Sequence, residues 1–152
     1  MAANMINALI QSDAIRSEAK FQSAMAKINE RRAQLQAEDA IARGESEAGR
    51  YGEKVKQVVG QQKVSFAAQG VALDSGSVQA VQEDTMRAGQ ADVDTIRTNA
   101  FREAMGFKTQ AQDYGMQSRM VKSTAQARAA GTLLAGGIAS AQQAGKILAG
   151  GM

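Results

Sequence analysis

GVALDSGSV, Gly70 to Val78, is the stretch where a chain otherwise written in helix-forming residues stops reading as helix. As a phosphate cradle it lacks the Gly-Lys-Ser/Thr ending. As a calcium loop it lacks alternating carboxylates and a closing Glu. As a bend it has the right parts. Gly70 stands where a helix end favours a left-handed residue, and Val71 supplies the apolar contact beyond it. Asp74, Ser75 and Ser77 offer acceptors to the free amides of a following helix, with Ser75 the favoured cap and Gly76 just inside the start. The expectation is an αα-hairpin with a short cap-to-cap link, joined at about Val71–Asp74.

The text on either side supports two long arms. Proline is absent from all 152 residues, as a long helix requires, because proline removes an amide donor and clashes with the preceding turn. From residue 5 to 69 the chain is rich in Ala, Gln, Glu, Lys and Arg, all good helix formers. Its large apolar residues (Ile6, Leu9, Ile10, Phe21, Met25, Ile28, Leu35, Tyr51, Val55, Val58, Val59 and Phe66) recur at helical spacing and are expected to form the stripe that meets the second helix. In the arm from 76 to 130, Val78, Val81, Thr85, Gly89, Val93, Ile96, Ala100, Ala104, Phe107, Ala111 and Tyr114 step by three or four. Arg87, Asp92, Arg97, Arg102, Glu103 and Lys108 occupy the other face. Folding at the bend is expected to set Gly60 near Gly89 and Gly44 near Gly106. Glycine inside a helix costs about 1 kcal/mol relative to alanine, so close backbone approach, or helices weak enough to open and repack, would account for these positions.

A third segment, residues 131–152, changes character: Lys146 is its one charge. Gly137, Ala141, Gly145 and Ala149 are spaced by four, as are Gly136, Ser140 and Ala144, and such rows let helices pack tightly. Gln142, Gln143 and Lys146 interrupt it as a simple membrane span. The readings are a flexible Gly/Ala tail or a segment packed in an oligomeric pore. Arg119, Lys122 and Arg128 precede it as candidate contacts for DNA or anionic lipid.

Composition narrows the chemistry. His and Cys are both absent, which removes the commonest general base, thiolate nucleophiles and the usual zinc ligands. Ser75 and Ser77 have no base beside them, and Asp92–Asp94 and Glu38–Asp39 are too close in sequence to face a common point. No catalytic residues, metal or cofactor are expected; the chain reads as a structural or interaction protein rather than an enzyme. Aromatics are 4%, few for a self-sufficient core, so burial is expected to be shared with other copies. No secretion signal opens the sequence.

The block from Arg50 to Gln117 resembles the small internal virion, or ejection, proteins of short-tailed bacteriophages. The resemblance lies in GQQKVSFAAQGVALDSGSVQAVQEDT (Gly60–Thr85) and DVDTIRTNAFREAMGFKTQAQ (Asp92–Gln112). It implies a protein stored in the capsid near the portal and released ahead of the genome. There it would build part of a conduit across the host envelope, with other core, portal or tail proteins and the host outer membrane as partners, and with DNA passing through without sequence specificity. The expectation is therefore an all-α hairpin assembled into a homo-oligomeric ring or tube, its arms about 60 residues and about 90 Å long. Two alternatives stand beside it: an adaptor permanently docked at the portal or tail with no membrane role, and a helical nucleic-acid-binding protein.

Overall fold

The structure, a computed structural model, describes residues 2–149, with side-chain surroundings from Asn4 to Gln142 and at Lys146. It is all-helical: α1 (Ala2–Ala68) and α2 (Gly76–Ala149) pack against each other as an antiparallel hairpin. α2 runs on without interruption through residue 131 to Ala149, so the Gly/Ala-rich segment is helical there.

The link is built by backbone hydrogen bonds. Gly70 has φ of 71°, the left-handed conformation in which glycine meets no Cβ penalty. Its N–H donates to the Ala67 carbonyl, and the Val71 N–H reaches back to the Phe66 carbonyl, each at 3.0 Å. This paired pattern closes the last free carbonyls of α1. On the far side, the N–H groups of Val78 and Gln79 both donate to the Ser75 carbonyl at 3.1 Å, which puts Ser75 at the N-cap position. Its hydroxyl, however, is buried without a hydrogen-bond partner, so the side-chain cap expected of Ser75 is not made.

Contacts divide the hairpin into two units, Ala33–Thr109 and Met1–Arg32 with Gln110–Met152. In the first, Ala37, Ala40 and Ala104 form the core, with Phe107 packed against it. Gly44 lies against Ala100 and Gly89 against Val55, with no room at either glycine for a methyl group. Polar clamps flank this seam. Arg43 Nη2 donates to Glu103 Oε1 at 3.0 Å, Arg97 Nε to Glu45 Oε2 at 3.1 Å, and Gln62 Nε2 to Thr85 Oγ1 at 3.0 Å. The Tyr51 hydroxyl donates to Asp92.

The second unit has its own seam of Ala8, Ser12, Ala19, Ser23 and Ala26 against Ala111, Ser118, Ala125, Ala129 and Ser140. Ala8 fills the space in front of Gly136, and the Ser118 hydroxyl donates across to the Ser23 carbonyl at 3.1 Å. Small side chains throughout allow the two backbones to approach closely. Within this unit the buried positions Ser118, Ala129 and Ser140 of α2 recur every eleven residues. An eleven-residue repeat lies close to the natural pitch of an α-helix, so the contact stripe needs no left-handed supercoil to stay facing its partner.

Two sequence expectations are corrected. The first is register: Gly60 and Gly106 have nothing within 4 Å of an added Cβ, and the glycines meet side chains rather than each other. Val55 with Gly89, and Gly44 with Ala100, are pairs equidistant in sequence from Ala72. That centre lies within the expected Val71–Asp74 link, about three residues before the midpoint that the expected glycine pairs implied, because the turn closes tightly at Gly70. The second is the choice of face over much of α1; Tyr51, Val55, Val59 and Phe66, and the α2 stripe apart from Val81, do turn inward as expected. Ile6, Leu9, Ile10, Phe21, Met25, Ile28, Leu35 and Val58 are exposed, as is Val81 of α2, while the alanines and serines between them are buried.

Candidate interaction surfaces

In the unit formed by Met1–Arg32 and Gln110–Met152, α1 carries four distinct faces. At about 100° per residue, Ala8, Ser12, Ala19, Ser23 and Ala26 share the arc that meets α2. Ile6, Ile10, Phe21 and Ile28 share an arc about 180° away from it, and they are 52%, 62%, 68% and 53% exposed. Between these arcs, on one flank, stand Arg16, Lys20, Lys27 and Arg31. The other flank holds Asn7, Gln11, Glu18, Gln22 and Asn29. The outward side of α2 is apolar too: Met116, Met120, Leu134 and Ile138 are all more than half exposed.

The inside is correspondingly poor. Among the described residues of this unit every buried side chain is Ala or Ser, whereas Val59, Val78 and Val93 are buried in the other. The accessible surface of the chain is 10736 Å², whereas a monomeric fold of 16.0 kDa exposes about 7,400 Å².

The expected contact residues are divided by the fold. Lys122 lines a surface groove with Arg16, Ala19, Lys20, Ala125 and Gln126. Arg119 lies on the same flank of α2, less than a turn away. Arg128 lies on the opposite flank, in a groove with Glu18 and Gln22, so the three do not form one site. In the Gly/Ala-rich segment, Gly136 and Ser140 face α1, and the Ser140 hydroxyl donates to the Gly136 carbonyl at 2.7 Å. In the neighbouring row Gly137 has open space beside it and Ala141 is exposed. Gly145 and Ala149, the rest of that row, lie outside the residues whose side-chain surroundings are described. At the bend, Asp74 is exposed and Gly76 opens α2 with open space around it.

Two groups of the Ala33–Thr109 unit have shifted pKa values. Hydrogen bonds to Glu103 and then Asp39 raise the pKa of Arg43, and the hydrogen bond to Asp92 raises that of Tyr51. Among the described residues no three His, Cys, Asp or Glu side chains converge as a metal site would need, and no helix is long and apolar enough to cross a membrane. Comparison with known proteins finds no matching family model, curated protein or solved structure.

Proposed function

We propose that this chain is a structural assembly subunit, an internal virion protein of the short-tailed-phage kind. It would be held in the capsid near the portal and released to build part of the conduit through which the genome enters the host envelope. The observation that carries the assembly half of this reading is the inversion in the unit of Met1–Arg32 and Gln110–Met152: small residues inside, large apolar residues outside. A seam of Ala, Ser and Gly buries little apolar area per residue, and burial stabilises at about 25 cal/mol per Å². Phe21, Ile28, Met120 and Leu134 are the side chains with area still to bury, and copies packed through these backs would form the ring or tube. The delivery half rests on the sequence resemblance of Arg50–Gln117.

The two halves are tested together by protein analysis of purified virions before and after triggered DNA release. The reading expects the chain, in several copies, in full particles and its loss from emptied ones. Retention in emptied particles would replace ejection with a permanently docked adaptor.

A further inference from the structure

The formal charge of +3 is unevenly divided. Residues 1–32 and 110–152 carry nine Lys and Arg against four Asp and Glu, a net +5, while Ala33–Thr109 carries nine against eleven, a net −2. Within the positive unit the cations are also gathered. Arg16, Lys20, Lys27 and Arg31 fall within an arc of about 60° on α1. Lys122 faces Arg16 and Lys20 across a groove floored by Ala19 and Ala125, with Arg119 beside it on α2. Asp13 reaches Arg16 at 3.8 Å. Among the described residues no carboxylate lies within 4.0 Å of Lys20, Lys27, Arg31, Arg119 or Lys122. Like charges aligned on adjacent helical turns repel one another, and the arrangement is relieved by a ligand that brings negative charge.

We infer that this two-helix basic face binds the phosphodiester backbone of nucleic acid without reading its sequence. The cations stand in two rows on either side of a shallow alanine floor, and four residues of helix rise about 6 Å, a step on the scale of successive phosphates. Gln126 adds a side-chain amide to the groove, and no aromatic side chain lines it. A lipid surface is the less favoured ligand. A helix that lies in a bilayer needs a free apolar wedge beside its cations, and the wedge here includes Phe21 and Ile28, assigned above to contact between copies. That choice of ligand rests on the assembly reading; the basic face itself does not.

The test is fluorescence anisotropy of a labelled mixed-sequence DNA duplex with the full chain across a salt series, with chain mass measured on the same samples. Binding is expected to be equal for unrelated sequences, and log K to fall with log salt with a slope between about −3 and −5, for up to six phosphate contacts. Lys20→Gln/Lys27→Gln/Arg31→Gln/Lys122→Gln should weaken binding at least tenfold and flatten the slope by about 3. The pair Arg119→Gln/Lys122→Gln should have an intermediate effect. A control removing equal charge from the other unit, Lys54→Gln/Lys63→Gln/Arg102→Gln/Lys108→Gln, should stay within about twofold of the parent at matched salt. Equal loss in the control, or binding to anionic phosphatidylglycerol vesicles without binding to the duplex, overturns the proposal. A monomeric mass with intact duplex binding would remove the assembly reading and leave the basic face standing.

Discussion

Gly44 lies against Ala100 so closely that a methyl group on the glycine would occupy the space of the alanine's own. The contact fixes both the register and the spacing of the helices in the Ala33–Thr109 unit, and it separates glycines that are needed there from glycines that are not. Gly44→Leu should destabilise this unit by about 1–3 kcal/mol, the usual cost of overpacking. Gly60, with open space around it, should behave oppositely: Gly60→Ala removes backbone freedom from the unfolded chain and should stabilise by up to about 1 kcal/mol. Urea unfolding followed by circular dichroism reads both.

Gly70 makes a different demand. Its positive φ is one that a residue with a Cβ adopts only at a cost of about 1–2 kcal/mol. Gly70→Ala should therefore lower stability by about that amount although the surrounding space is open, and Gly76→Ala, just inside α2, should not. Thermal melts of the two variants side by side distinguish backbone strain from loss of space.

The phenol of Tyr51 donates to Asp92, which raises its pKa above the ordinary value of about 10. The folded state favours the protonated phenol, so this contribution is complete below the unfolded pKa. It is lost as pH rises through the higher folded value. Absorbance at alkaline pH should show Tyr51 ionising late, and Asp92→Asn should bring it back toward the ordinary value. A parent chain whose Tyr51 titration is unchanged by Asp92→Asn would contradict the hydrogen bond.

The helical arms and the bend were legible from local chemistry. Proline's absence, the helix-forming text and the Gly70–Val71 pair each act over a few residues, and sequence displays such effects directly. The contact face was legible on α2, where every residue of the expected stripe but Val81 is buried or half-buried, and at Tyr51, Val55, Val59 and Phe66 of α1, but not in the earlier part of α1. Periodicity gives the spacing of an apolar arc, but α1 has two arcs at nearly the same spacing, one of Ala and Ser and one of Ile and Phe, about 180° apart. Weighting by side-chain size selects the larger, whereas two long helices alone approach most closely through the smaller. The register failed for a related reason: the hairpin's centre depends on where the Gly70 turn closes, and moving it a few residues re-pairs every glycine. The basic face was half visible. Arg119 and Lys122 stood out beside the Gly/Ala-rich segment, but Arg16 and Lys20 join them only through the antiparallel pairing.

The inner and outer faces also predict opposite responses to the same kind of change. Ala19→Leu, at a buried position, should lower helicity or stability by forcing the seam apart, at about 1–3 kcal/mol. Phe21→Ala, two residues on and exposed, should leave the helical signal of the hairpin in place while weakening association between copies. Circular dichroism combined with light scattering reads the two effects separately.

The most direct test of the central claim is the mass of the full chain by sedimentation at tens of micromolar, alongside Phe21→Glu/Ile28→Glu. The account predicts a mass several times the 16.0 kDa chain for the parent, and a much smaller species of equal helicity for the variant. A parent that sediments as a stable, cooperatively melting monomer would contradict it, since the exposed apolar backs would then need no second copy.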